Sequence, residues 1–306
     1  MRLHITTLLV MLLCLGHARA GEIALTFDDA PLQGNGFMGG MEKTQRIIKG
    51  LQAQNVEDAL FFVTTGNIRD EEGAKRLKAY ANAGFHLASH SHKHVSANKV
   101  DTNDYLMDFY QSHLTLQDYD NVLKLHRFPY LHYGQTQEAR TKIQSHLNDL
   151  GYGFGYVTVD NFDWHINGRL LAAHRQGKQI DLEKLKQLYL ETIWESIVFY
   201  DQIASTHLKQ PVKHVLLLHE NELAALFIGD LVAYIRSKGW KIISPAEAYK
   251  DPVLNVYSPA FSFNKQGRVA ALAHEKGVDT KLLRHESENA QFLDKKLQQQ
   301  QVFKSD

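Results

Sequence analysis

The chain has 306 residues, with 34 basic and 34 acidic side chains and a formal net charge of zero. It lacks the basic stripe that nucleic-acid binders carry, so no nucleic-acid partner is expected. Its one cysteine, Cys14, falls in the N-terminal segment, which excludes a disulfide framework, a thiolate nucleophile and a cysteine-based zinc site in the remainder.

Met1-Arg2-Leu3-His4 is a short basic start, residues 5–16 are apolar or small, and Ala18-Arg19-Ala20 has the A-x-A form of a signal-peptidase site. A signal peptide over 1–20, export to the periplasm or beyond, and a mature start at Gly21 are the expectations. The apolar run is shorter than the roughly 20 residues needed to span a bilayer. Cys14 also lacks the preceding small residue of a lipoprotein site, so no stable membrane anchor is expected.

From there, apolar runs alternate with amphipathic stretches, the pattern of an α/β protein. Residues 23–27 read as a buried strand ending in Asp28-Asp29, and 42–54 as a helix with Ile47, Ile48 and Leu51 at helical spacing. A strand over 59–65 and a helix over 71–83, closed by Gly84, come next. Residues 85–89 lead into a histidine cluster, 105–116 read as a helix, and 122–125 as a strand before Arg127. Further on, 137–150 read as a helix, 154–159 as a strand, 182–204 as a long helix and 215–218 as a strand ending at His219. A helix over 223–237 and a strand over 240–243 follow. That makes about seven strand–helix units with candidate functional residues at strand C-termini, where loops converge in parallel barrels. Residues 166–213 read as an elaboration and 254–263 as a short β element. The polar stretch 279–306 reads as a peripheral helix or a frayed tail.

Five motifs carry the chemistry. Asp28 and Asp29 are adjacent carboxylates that repel unless a cation or a division of labour separates them. In His90-Ser91-His92-Lys93-His94, the two outer histidines share a face if the segment turns helical, and with a carboxylate they could hold one ion. Such a two-His, one-carboxylate set suits a divalent metal, Zn²⁺ or else Co²⁺, Fe²⁺ or Ni²⁺. Arg127-Phe128-Pro129-Tyr130 combines a guanidinium with a proline-fixed turn. Asp160-Asn161-Phe162-Asp163-Trp164 follows a strand, with Asp160 read as a turn cap. Leu216-Leu217-Leu218-His219 puts an imidazole at the end of an aliphatic strand. His92 is read as facing away or supporting the loop, and the remaining histidines as surface or packing residues.

In this order and spacing the motifs resemble the polysaccharide deacetylase family (carbohydrate esterase family 4), whose catalytic region is the NodB homology domain, over roughly 22–250. The resemblance implies a distorted (β/α) barrel over 21–250, elaborated at 166–213, with a C-terminal extension over 251–306 that is peripheral or partly disordered. It implies Asp28 as general base and Asp29, His90 and His94 as metal ligands. Arg127 is then the partner of the base, the Tyr130 N–H an oxyanion donor, and Asp163 the partner of His219, the general acid. Trp164 and Leu217 would line the pocket with Tyr130, while 32–40 and 166–213 shape the groove. The implied activity is hydrolytic removal of N-acetyl groups from a glycan outside the inner membrane. The alternatives are an O-acetyl esterase or small-amide hydrolase on the same site, or a non-catalytic glycan-binding protein. Nothing in the sequence indicates an oligomeric state.

Overall fold

A computed structural model describes residues 20–255 and 266–304. Residues 1–19 of the expected signal peptide and residues 256–263 of the suggested β element lie outside the described residues.

Strand β1 (Glu22–Ala30) is the centre of a parallel sheet. It pairs along its length with β7 (Lys213–His219), and on its other side with β2 (Leu60–Val63) and β8 (Lys241–Ile242). Both β1 and β7 are almost wholly buried, which explains why they read as continuous apolar runs. Beyond β2 come β3 (His86–Ser89), β4 (Val122–His126) and β5 (Gly153–Phe154), giving the order β5-β4-β3-β2-β1-β7.

The expected strand over 154–159 is a correction. Only Gly153–Phe154 is regular strand, paired with β4, and Val159 then bridges to Leu216 of β7. The segment leaves one sheet edge and arrives at the other, so its middle cannot ladder with either. This crossing curls the sheet into a distorted (β/α) barrel, as the motif order implied.

Helices α1 (Gly40–Ala53), α2 (Glu71–Asn82), α3 (Thr102–Leu116) and α4 (Gln137–Asp149) follow β1 to β4 in turn. Helix α5 (Asp163–Arg175) fills a stretch that its polar residues had disguised, and the two-residue β6 (Gln179–Ile180) leads into α6 (Leu182–Ile203). Helix α7 (Glu222–Ser237) starts just beyond His219, with the Asn221 side chain accepting from the Ala224 N–H as its cap. Two short helices follow β8, α8 (Pro245–Ala248) and α9 (Pro252–Asn255), the second taking in the first two residues of the expected β element.

After residue 266 come α10 (Arg268–Glu275), α11 (Ala290–Gln299) and β9 (Phe303–Lys304), which pairs with β6. Polar composition suggested a peripheral course for this region. Yet Val269, Leu283, Leu293 and Val302 are fully buried in the main core. Asp294 of α11 binds Arg169 at 2.6 and 2.7 Å and His165 at 2.8 Å on α5. The extension therefore braces the helix that begins at Asp163.

Candidate active site

At the C-terminal end of β1 the pairing with β2 slips between Phe27 and Ala30, and Asp29 takes a left-handed backbone at φ 69°. On a regular strand Asp28 and Asp29 would face opposite ways. The bulge instead brings oxygens of both within 3.7 Å of His90 Nε2. The Asn67 side chain donates to the Asp29 carbonyl at 2.9 Å, and Thr64 Oγ1 lies 3.3 Å from its carboxylate.

His90 and His94 meet through a turn, which corrects the helical expectation. No helix forms over 90–100, and Ser91 and His94 are left-handed at φ 72° and 55°. Asp108 of α3 accepts from the N–H groups of His92 and Lys93, and Ser91 Oγ accepts from the His94 N–H at 3.0 Å. These bonds offset a backbone cost of roughly 1–2 kcal/mol per left-handed residue. His92 supports the loop through Thr65 Oγ1, 3.0 Å from its Nδ1.

The candidate metal ligands are Asp29, His90 and His94, whose donor atoms all lie within 4.8 Å of one another. His94 Nε2 approaches Asp29 Oδ1 to 3.3 Å. His90 Nδ1 donates to the Arg127 carbonyl at 2.9 Å, which fixes the tautomer and leaves Nε2 as the ligating atom. Burial, reinforced by neighbouring His94, holds His90 down at about 3, so it is neutral as a ligand must be. The donor set fits a divalent ion.

Arg127 is buried, with its guanidinium 3.8 Å from the Phe62 ring centroid. It donates to Asp28 Oδ1 at 2.6 Å, Thr26 Oγ1 at 2.9 Å, the Gly155 carbonyl at 2.8 Å and the Tyr249 hydroxyl at 3.0 Å. Burial opposes the charged form, but Asp28 outweighs it and the guanidinium is held above its usual range. In the turn that follows, Tyr130 and Leu131 are left-handed at φ 59° and 52°. The turn's own bonds run from Leu131 N–H to Phe128 O and from His132 N–H to Pro129 O. Neither uses the Tyr130 N–H.

Across the cleft, fully buried Asp163 accepts from three donors. These are His219 Nδ1 at 2.6 Å, the His219 N–H at 2.9 Å and Asn221 Nδ2 at 3.0 Å. Burial alone would push His219 down. Asp163 reverses this, with Asp29 and Asp28 adding to it, and the imidazole is raised to about 10. Next to it, Glu220 is fully buried on Arg76 at 2.6 and 2.9 Å and Tyr80 at 2.7 Å. Its backbone N–H donates to the Asp28 carbonyl, so one charged cluster pins the ends of β1 and β7.

All ten expected site residues are therefore brought together except Arg127 and Asp163, which stand behind Asp28 and His219. The other eight line one cleft of about 530 Å³. Trp164 and Tyr130 are its exposed aromatic walls, and Leu217 is a buried apolar patch in it. Residues 32–40 do not line the cleft. Leu32 and Asn35 are tied instead to Glu220 and Glu222. Nor does 166–213, because α6 packs its apolar face into the core. Groups that sequence reasoning did not assign to the cleft are Lys99, Leu131, His132, Asn161, Phe162 and Arg284. Asp160, read as a turn cap, does accept from the Asn161 N–H, yet it also lines the cleft. Burial, with Glu288 beside it, raises its carboxyl well above the usual range.

Residues 16–152 match the family model described as polysaccharide deacetylase. That match takes in the first three motifs, while Asp163 and His219 lie beyond it. Among solved structures, wild-type BA3943, a CE4 family pseudoenzyme from Bacillus anthracis, superposes with a TM-score of 0.54 at 15% identity, covering 76% of this chain and 66% of that one. A mutant of that pseudoenzyme with restored enzymatic activity gives 0.53 at 18% identity, covering 76% and 68%. The Bc1960 peptidoglycan N-acetylglucosamine deacetylase, in complex with 4-naphthalen-1-yl-N-oxidanyl-benzamide, gives 0.52 at 19% identity, covering 76% and 89%. These likenesses establish the fold. With a pseudoenzyme among the neighbours, activity has to be argued from side chains. No curated protein matches the chain.

Proposed function

We propose that this chain, whose residues 16–152 match the polysaccharide deacetylase family model, is a metal-dependent hydrolase removing N-acetyl groups from a glycan. The observation that carries the reading is one cleft in which a three-ligand set lies between two oppositely equipped groups. Asp28 is paired with the Arg127 guanidinium, and His219 is held protonated by Asp163.

A divalent ion on Asp29, His90 and His94, Zn²⁺ by donor preference, would supply Lewis acidity toward a water and the acetamide carbonyl. Asp28 takes the proton from the attacking water, with Arg127 orienting the carboxylate and stabilising its charge. The Tyr130 N–H donates to the oxygen that gains charge. His219 donates its proton to the departing nitrogen, and acetate and a free amine result. Trp164 and Tyr130 offer faces to a sugar ring and Leu217 meets the acetyl methyl. Export is part of the proposal and rests on the leader pattern of residues 1–20.

The test is acetate release by the Zn²⁺-loaded protein from N-acetylglucosamine oligomers, acetylxylan and a small acylated amine. Release from the oligomers at a kcat/KM at least tenfold above the other two is expected. Preference for acetylxylan, undiminished in His219→Ala, would replace the reading with an esterase, since an alcohol leaves with less acid help. Release from the small amine alone would replace it with a small-amide hydrolase.

A further inference from the structure

Tyr249 carries a hydroxyl that the chemistry above does not use. It follows α8 and lies outside all five motifs. The hydroxyl stands 3.0 Å from Arg127 Nη2 and 3.0 Å from the Tyr156 carbonyl. A guanidinium can only donate, and a carbonyl can only accept. The hydroxyl therefore accepts from Arg127 and gives its own proton to Tyr156, which fixes the direction of both bonds. Desolvation pushes Tyr249 up to about 12, so the hydroxyl is neutral across the neutral range.

The other contacts of Arg127 show what this bond adds. Phe62 covers one face of the guanidinium, the Gly155 carbonyl takes Nε, and Thr26 and Asp28 take Nη1. Among the described residues, the Tyr249 hydroxyl is the partner of Nη2. The crossing segment that carries Gly155 and Tyr156 passes so close that a Cβ on Gly155 would lie 2.5 Å from the Phe62 ring and 3.1 Å from the Arg127 nitrogen. Arg127 is thus tied to this segment twice, directly at Gly155 and through Tyr249 at Tyr156. The guanidinium is one rigid plane, so a hold on Nη2 sets the angle at which Nη1 meets Asp28 Oδ1. A neutral partner also leaves the positive charge undivided opposite Asp28, where a second carboxylate would share it.

We propose that Tyr249 is a positioning residue for the deacetylation, fixing the plane of Arg127 so that Asp28 is aimed at the attacking water. The inference rests on the deacetylase reading for the role of Asp28, and on the two hydrogen bonds for the role of Tyr249.

The test is Tyr249→Phe, which removes one oxygen and keeps the ring packed on the Ala24–Val215 and Leu60–Phe62 clusters. On the Zn²⁺-loaded protein, kcat for acetate release should fall about tenfold with KM held within about twofold. Added to Arg127→Gln, the same substitution should lower turnover no further, because Tyr249 acts through Arg127. Tyr152→Phe removes another buried hydroxyl, 3.1 Å from His113 Nδ1 and away from the cleft, and should leave kcat unchanged. NMR of the arginine side chains gives a readout independent of turnover. In the wild type, rotation of both Nη groups of Arg127 should be hindered. In Tyr249→Phe the Nη2 protons should average while those of Nη1 stay resolved. A folded Tyr249→Phe variant with turnover within about twofold of wild type, an equal further loss in the Arg127→Gln background, or Nη2 protons still resolved in that variant overturns the proposal. A wild type that releases no acetate at one Zn²⁺ per chain, yet shows Nη2 held and then freed by the substitution, would sink the hydrolase reading and uphold the hold on Arg127.

Discussion

Asp28→Asn is expected to lower the turnover of acetate release by about 10³-fold while leaving bound metal unchanged. The substitution keeps the shape of the side chain and an oxygen for Arg127, 2.6 Å away in the wild type, but removes the basicity. It also leaves a buried guanidinium without its counter-charge, so some loss of stability accompanies the loss of rate; truncation to alanine would cost about 3–5 kcal/mol. Metal content by atomic emission separates base from ligand, because Asp29, His90 and His94 all remain. Turnover within tenfold of wild type at equal metal content would remove Asp28 from the base role.

Asp163→Asn is expected to lower turnover at pH 8 by about 10²-fold or more, through loss of the proton on His219. In the wild type the imidazole is raised to about 10, so it is protonated across the neutral range. Without the Asp163 charge, burial prevails and the value falls. NMR titration of the metal-free protein reads this directly, as a histidine titrating near 10 that moves down in the variant. The sign of the stability effect follows. A raised folded-state value stabilises fully below the ordinary histidine pKa of about 6.5 and is lost as pH rises through the folded value. The stability gap between wild type and variant in urea should thus be widest near pH 6 and narrow toward pH 10. A His219 that titrates normally in the wild type would contradict the assignment.

The parts of the site that were legible lie at the ends of apolar runs. Asp28-Asp29 and His219 stand where buried parallel strands stop, and a titratable group there is visible against aliphatic neighbours. The strand boundaries around them were close for the same reason. What sequence pattern could not supply were groups that reach the site from far along the chain. Arg76 meets Glu220 across 144 positions with no local periodicity to announce it. Arg284 sits in a polar segment that resembles a tail, although Leu283 beside it is fully buried. The crossing at 154–159 reads as an ordinary strand, because Val157 and Val159 are buried whether or not their backbones ladder. The His90–His94 spacing pointed to the right pair through the wrong backbone. The separation of four that a helix would use is met here by left-handed residues at 91 and 94.

Acetate release from N-acetylglucosamine oligomers, followed on one preparation before chelation, after it, and through stepwise return of Zn²⁺, tests the central claim most directly. The account predicts release that vanishes on chelation and returns in proportion to metal, reaching its plateau at one ion per chain. Release that persists once the metal is gone, or one ion per chain bound with no release from any acetylated glycan, would contradict it.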